Sequence, residues 1–392
     1  MKVLYVHGSS KIEGIVNALR KLGIDHEIYP TRMLDVFVND SEAIEVAAHC
    51  RQSGITHIMS IHLIDTLAVA AQKARISYVA LIWDAPYYKL FTDYGKMDNC
   101  WFSVFDRVDA QRFKDADISH ILYQPLAVDE DQIREWDRQA EALREYKDEI
   151  CFVGRLYDDN FYDEFCSQLP QELQDYFVDL FENAAFRWDG IDRIHGTVNN
   201  ELVAHIRAET PGFQMVNLFD IPDSVYFENG YVTRKIANIE RICALNLLAE
   251  KYPVTLYTTS VTARQRLRGV KIMPPICSEQ DLHNTFRSSK INLNISLKGI
   301  EGGTPQRIMD IMGAGGFVLT NYCPETADLF QEDKEIVMFR TPEELLEKAD
   351  YYLKHDRERE EIAQNGHVKV MQRYTYTEKI KKLLAWVEGA ES

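Results

Sequence analysis

Over the first third of the chain, short apolar runs alternate with stretches whose apolar residues recur every three to four positions. Residues 3–6, 26–29, 58–61, 78–82, 101–105 and 121–123 have the length and composition of buried strands, whereas 12–22, 43–50 and 66–74 carry helical spacing. This βαβα order predicts a parallel sheet covered on both faces by helices. A charged segment, 129–148, reads as a helix closing the first domain, and 150–153 as the first strand of a second. Residues 161–230 are aromatic-rich, acidic and mostly helical, and show little chemistry. A long helix, 234–252, then precedes a strand at 254–257, and Ser278 opens a helix reaching 288.

The pattern is most informative at 290–325, KINLNISLKGIEGGTPQRIMDIMGAGGFVLTNYCPE. Ile291, Leu293, Ile295 and Leu297 alternate with Asn292, Asn294 and Ser296, the period of a strand. A glycine loop, 299–303, follows; Thr304 stands where an N-cap belongs and Pro305 at the first helical position. Ile308, Met309, Ile311 and Met312 form the apolar side of a short helix that stops at Gly313-Ala314-Gly315-Gly316, before a strand at 317–320. The whole is a βαβ unit whose helix N-terminus could accept an anion. Beyond it lie a strand at 336–339, capping boxes at Thr341–Glu344 and Thr375–Glu378, and a last amphipathic helix with Ile380, Leu383, Leu384 and Val387. The expected organisation is α/β: domains 1–148 and 149–375, then a terminal helix, 376–392.

Composition narrows the function. The 44 Lys+Arg against 61 Asp+Glu give a formal charge of −17, which argues against a polyanion-binding surface and hence against nucleic acid as partner. A small phosphorylated ligand held by a few arginines remains open. Seven scattered cysteines without a C-x-x-C argue against a disulfide framework and a zinc site. The N-terminal apolar run is too short for a signal peptide, and no run could span a bilayer; a soluble cytoplasmic protein is expected. Nothing in the residues bears on oligomeric state.

Loops at the carboxyl ends of parallel strands are where such sheets bind ligands. At 302–310, the amides of Gly303 and Thr304 with Arg307 could hold phosphate oxygens while Asp310 accepts from ribose hydroxyls; a surface Arg–Asp pair at i,i+3 is the plainer alternative. His7-Gly8-Ser9-Ser10 lacks G-x-G-x-x-G, so Gly8 and Ser9 face a ligand or form an ordinary turn. Asp84, beside Trp83, Tyr87 and Tyr88, suits carbohydrate hydroxyls or a base's role, or is a turn-former ahead of Pro86. His62 has the same standing or is simply packed, and Arg155 could reach a diphosphate or lie on the surface. The acidic runs 129–131 and 158–159 read as solvated helix starts. No nucleophile–base arrangement stands out.

The segments FVGRLY (152–157), INLNIS (291–296), GGTPQRIMDIMGAGGFVLTNY (302–322), EELLEKADYYLKH (343–355) and the stretch 357–376 resemble the C-terminal domain of CgeB-like glycosyltransferases. Trp83-Asp84-Ala85-Pro86 and Tyr123-Gln124-Pro125-Leu126-Ala127-Val128 resemble the domain paired with it. The resemblance implies a GT-B fold, two Rossmann-like domains facing across a cleft, with the last helix crossing back to the first. It implies a nucleotide-sugar donor, most often UDP-linked, held mainly by the C-terminal domain, a glycan or protein hydroxyl as acceptor, and neither metal nor cofactor. Related retaining enzymes carry Glu-x7-Glu here. Asp310 falls on the second acid, Gly302 on the first with Glu301 one residue out of register, and Gly315 at the expected spacing beyond. Arg307 matches a family arginine, and Gly315 and Gly316 are expected to allow close approach of the nucleotide. A retaining transfer needs no protein base; an inverting one needs one, for which Asp84 and His62 are candidates. Alternatives are a GT-B nucleotide-sugar epimerase and a non-catalytic glycan-binding partner.

Overall fold

The computed structural model describes residues 1–7, 12–30, 38–140 and 145–391. It divides into two compact units, one of Met1–Arg134, Gly302–Thr304 and Met371–Ser392, the other of Glu135–Glu301 and Pro305–Val370. In the first, β1 (Lys2–His7), β2 (Asp25–Pro30), β3 (His57–Ile61), β4 (Ser77–Ile82), β5 (Cys100–Val104) and β6 (Ile121–Tyr123) form a parallel sheet in the order β2-β1-β3-β4-β5-β6. Residues of both faces are buried, which is why these strands read as apolar runs. Leu4, Ile58, Ala80 and Phe102 pack on one side with the helices Asp40–Ser53 and Asp65–Ala74. Tyr5, Met59, Val79 and Trp101 pack on the other with helix Ile12–Lys21 and the apolar side of the last helix, Tyr376–Glu391.

The last helix therefore returns to the first unit, as the resemblance implies. Ile380, Leu383 and Val387 are fully buried there. Its entry is fixed by backbone bonds from Val128 N–H to Tyr374 O and from Tyr376 N–H to Val128 O, both 2.9 Å. The Thr375 hydroxyl accepts the Glu378 N–H, the capping box expected.

In the second unit, β7 (Asp148–Val153), β8 (Val254–Tyr257), β9 (Lys271–Met273), β10 (Ser289–Asn294), β11 (Val318–Asn321) and β12 (Val337–Phe339) pair in parallel as β12-β11-β10-β7-β8-β9. The alternation at 291–297 is real, but its polar side is not solvated. Asn292 and Asn294 are buried, and their amides donate to Phe286 O and Phe317 O, and to Ser296 and Thr320 hydroxyls. Buried amides without such partners would be costly. Residues 161–236 add a separate aromatic core containing Phe161, Phe177, Phe181, Phe213 and Phe227.

Four local expectations change. The helix expected at 129–148 is Glu130–Ala140, and Asp148 already begins β7; residues 141–144 lie outside those described. Strand β9 is present although Lys271-Ile272-Met273 offers only two apolar positions after an exposed lysine. Thr304 does not cap the next helix. Pro305, extended at φ −60° and ψ 147°, takes the N-cap position of helix Gln306–Gly313, and Thr304 is fully buried. Finally, Gly315 and Gly316 lead into the amino end of β11, an eight-residue helix away from Arg307's end. At about 1.5 Å per residue that is roughly 12 Å. Gly315 turns the chain at φ +72°, and a Cβ on Gly316 would lie 2.8 Å from both Asn292 Nδ2 and Phe286 O. Gly316→Ala is expected to lower stability by about 1–3 kcal/mol, read from urea denaturation, the range for overpacking a filled core.

Among the described residues, no helix is long and apolar enough to cross a membrane.

Candidate functional site

The strand order of the second unit reverses between β7 and β10, and ligands in such sheets bind outside the carboxyl ends of the strands at that point. The two loops leaving it are tied together by Arg241, a residue to which no sequence pattern points. Arg241, on helix Thr233–Ala249, donates from Nη1 to Arg155 O at 2.7 Å and from Nη2 to Ile295 O at 2.6 Å. Its guanidinium lies over the Tyr157 and Phe152 rings, 4.8 and 5.4 Å from their centroids. Arg155 thus contributes its carbonyl to this strut. Its own side chain is exposed and paired with Asp159 at 2.6 Å.

Arg307 stands in the first turn of helix Gln306–Gly313, beyond the carboxyl end of β10. Its guanidinium packs over Phe286, 5.2 Å from the ring centroid. Asp310 Oδ2 is 3.9 Å away, too far for a hydrogen bond, and Asp310 Oδ1 instead accepts from Gln306 Nε2 at 2.8 Å. Nη1 of Arg307 is buried without a hydrogen-bond partner. A solvated surface pair would look different. The side chain is 31% exposed overall, and its one buried, unused donor is a stored cost that an anion reaching it would relieve.

Glu301, in the same loop, is largely buried, and its Oε1 lies 3.3 Å from His195 Nε2. The other ring nitrogen, Nδ1, faces Asp192 Oδ2 at 3.0 Å. The loop is also fastened by Lys298, which donates to Ala184 O and Arg187 O and lies 3.3 Å from the buried Glu240 carboxyl group.

Gly303 and Thr304 belong to the first unit. Both are buried with the first unit, where Gly303 pairs with Asp106 and the Gly302 N–H donates to Asp106 Oδ2 at 3.0 Å. The other Asp106 oxygen caps helix Arg107–Asp115. A Cβ on Gly302 would lie 2.7 Å from Val108 Cγ2, so that glycine permits close passage of the chain.

In the first unit the strand order reverses between β1 and β3. Gly8 and Ser9, after β1, lie outside the described residues. His62 follows β3 and Asp84 follows β4. Because these strands pair in parallel side by side, the two side chains meet, with His62 Nε2 3.4 Å from Asp84 Oδ2. His62 has φ +59°, and its carbonyl accepts from the Ser60 and Tyr78 hydroxyls, so its backbone is fixed. The ring stacks on Tyr87 at 5.1 Å and its Nδ1 is buried without a hydrogen-bond partner. Burial lowers the His62 pKa; Asp84 opposes this and Lys89 adds to it, so the ring is neutral at neutral pH. Asp84 itself is 74% exposed. Trp83 stacks on Tyr376 at the start of the last helix, 6.0 Å between centroids.

Two solved structures match essentially the full length. Sucrose-phosphate synthase (tll1590) from Thermosynechococcus elongatus aligns at a TM-score of 0.50 and 9% identity over 100% of both chains. T4 phage BGT, solved in complex with its UDP-glucose substrate, aligns at 0.50 and 9% identity over 98% of this chain and 99% of that one. These likenesses, with two parallel six-stranded sheets, define an α/β protein of the GT-B class. Residues 244–385, which contain Glu301, Arg307 and Asp310, match the family model described as "Glycosyl transferase-like". No curated protein matches the sequence.

Proposed function

We propose that this chain is a glycosyltransferase, of the CgeB-like kind, that moves a sugar from a nucleotide donor, UDP-linked, to a hydroxyl group of a glycan or protein. The observation carrying the reading is Arg307, whose Nη1 is a buried, unused donor, inside the segment that matches the glycosyl transferase-like family. In the transfer, the bond between the anomeric carbon and the diphosphate oxygen breaks and its electron pair leaves on the nucleotide. Arg307 and the N-terminal N–H groups of its helix meet that developing charge, in place of a bound metal. Asp310 accepts from the ribose hydroxyls, and Glu301 addresses the sugar. The acceptor oxygen forms the new bond, and its proton passes to the departing phosphate in a retaining transfer or to a protein base in an inverting one.

For an inverting transfer, His62 is the base and Asp84 the group that orients it. Its neutral form is the active one, so kcat/KM is then expected to fall only as pH drops below the ordinary histidine range, toward the lowered His62 value. His62→Ala would remove that limb and cut the rate by about 10²–10⁴-fold. A loss under roughly tenfold would assign the proton to the leaving phosphate and mark the transfer as retaining.

The function itself is tested by incubation with UDP-, GDP- and TDP-sugars, following free nucleotide and sugar products. Release of UDP, increased by a glycan or protein acceptor, is expected. Interconversion of sugar nucleotides without transfer would make the protein an epimerase, and binding of glycans without turnover of any donor would make it a non-catalytic partner.

A further inference from the structure

We propose that His195, which belongs to the aromatic insert, is a positioning residue that holds the Glu301 carboxyl group at the carboxyl end of β10. The inference rests on the donor-site reading and deepens it, because it gives the insert a part in placing the group that addresses the sugar. His195 lies between helices Gln171–Ala184 and Asn200–Glu209, and its side chain is only 15% exposed. Every partner of its ring is an acceptor. Nδ1 faces Asp192 Oδ2 at 3.0 Å, and Nε2 faces Asn229 Oδ1 at 3.0 Å and Glu301 Oε1 at 3.3 Å. The Asn229 amide nitrogen donates elsewhere, to Val225 O, which leaves its oxygen toward the ring. An imidazole that donates from both nitrogens is an imidazolium.

The surroundings support that charge. Burial works against it, but the Asp192 hydrogen bond, the Glu301 charge and the Asn229 contact outweigh burial and raise His195 to about 9. Asp192 is itself fixed, accepting the Ile194 and His195 N–H groups, and its pKa is far below the usual carboxylate range.

Asp192, His195 and Glu301 place ligand atoms within 4.8 Å of one another, the spacing of a cation site. The two acids, however, address opposite nitrogens of the ring. The arrangement is that of a cation already supplied, the imidazolium. With Lys298 fastening the same loop to Ala184 and Arg187, the insert holds the Glu301 loop at two places. Small displacements of a positioning group are costly to catalysis, so such bracing matters.

The sign of the pH effect follows. A raised pKa makes the His195 contact fully present below the unfolded value near 6.5 and lost as pH rises through about 9. The test combines His195 ring titration by NMR with turnover and UDP binding in the full chain and in His195→Gln, Glu301→Gln and the exposed-site control His205→Gln. In the unsubstituted protein the His195 ring should titrate near 9, and in Glu301→Gln at least about one unit lower. His195→Gln should lose about 10–100-fold in kcat, bind UDP within about threefold of the unsubstituted protein, and lack the alkaline limb near pH 9. His205→Gln should change none of these. Unchanged turnover and an unchanged alkaline limb in His195→Gln would overturn the inference. If that variant does not fold, a His195 titration unmoved by Glu301→Gln overturns it. Absence of UDP binding by the unsubstituted protein would instead defeat the donor-site reading beneath it.

Discussion

Arg307→Ala is expected to cut turnover of the nucleotide-sugar donor by about 10²–10³-fold, the effect of deleting one preorganised donor aimed at developing charge. The melting temperature should hardly move, and this is what separates a catalytic arginine from a structural one. In the free protein Arg307 makes no hydrogen bond from Nη1 and stands 3.9 Å from Asp310, so its removal breaks little. Alanine gives up the packing of the guanidinium over Phe286, worth about 0.5–1 kcal/mol. Arg307→Lys should recover only part of the rate, since an ammonium group lacks the planar fork that fits two phosphate oxygens. Undiminished turnover in Arg307→Ala would remove the arginine from the mechanism.

Arg241→Met should show the opposite profile, a loss of stability that precedes any reading of activity. Methionine keeps much of the apolar stem but leaves Arg155 O and Ile295 O, two carbonyls at the ends of β7 and β10, without the guanidinium that now satisfies them. A buried acceptor left unpaired costs about 1–3 kcal/mol, so a loss of about 2–5 kcal/mol is expected from urea denaturation. Arg241 also contributes stacking on Tyr157 and Phe152, which the variant lacks. An unchanged denaturation midpoint would show that the two loops are held by something other than Arg241.

Much of the sheet architecture was legible, because strands buried on both faces leave apolar runs that no surface segment imitates. The alternation in the first third predicted six strands, and six are present among the described residues. Strand β9 escaped because Lys271-Ile272-Met273 opens on an exposed charged residue and offers only two apolar positions, whereas the equally short β6 is apolar throughout. Helix caps were legible where the cap residue stays with its own helix, as at Ser278 and Thr341. Thr304 is the exception, since that residue is buried with the first unit and Pro305 takes over the cap position.

The site was legible in proportion to how local its geometry is. Arg307 and Asp310 share one helix, so spacing alone brought them together. His62 and Asp84 stand out separately in the sequence, and the pairing of β3 with β4 could have joined them, because residues just past adjacent parallel strands are neighbours. Arg241 carried no such signal. Its partners are main-chain carbonyls 86 and 54 positions away, and side-chain pattern says nothing about where a distant carbonyl will lie. His195 was hidden for a similar reason, as a single histidine in a segment whose dominant pattern is aromatic packing. Gly316 also serves close packing, which in a sequence looks the same as room for a ligand.

The central claim, that the second unit binds a nucleotide through Arg307, is tested most directly by calorimetric titration of UDP into the full chain and into Arg307→Ala. One UDP bound per chain is predicted, with affinity at least about tenfold weaker in the variant, the effect of removing a charge-assisted hydrogen bond. Arg155→Ala, which alters an exposed ion pair with Asp159, should bind as the unsubstituted protein does. Failure of the unsubstituted protein to bind UDP, or equal affinity in Arg307→Ala, would contradict the claim.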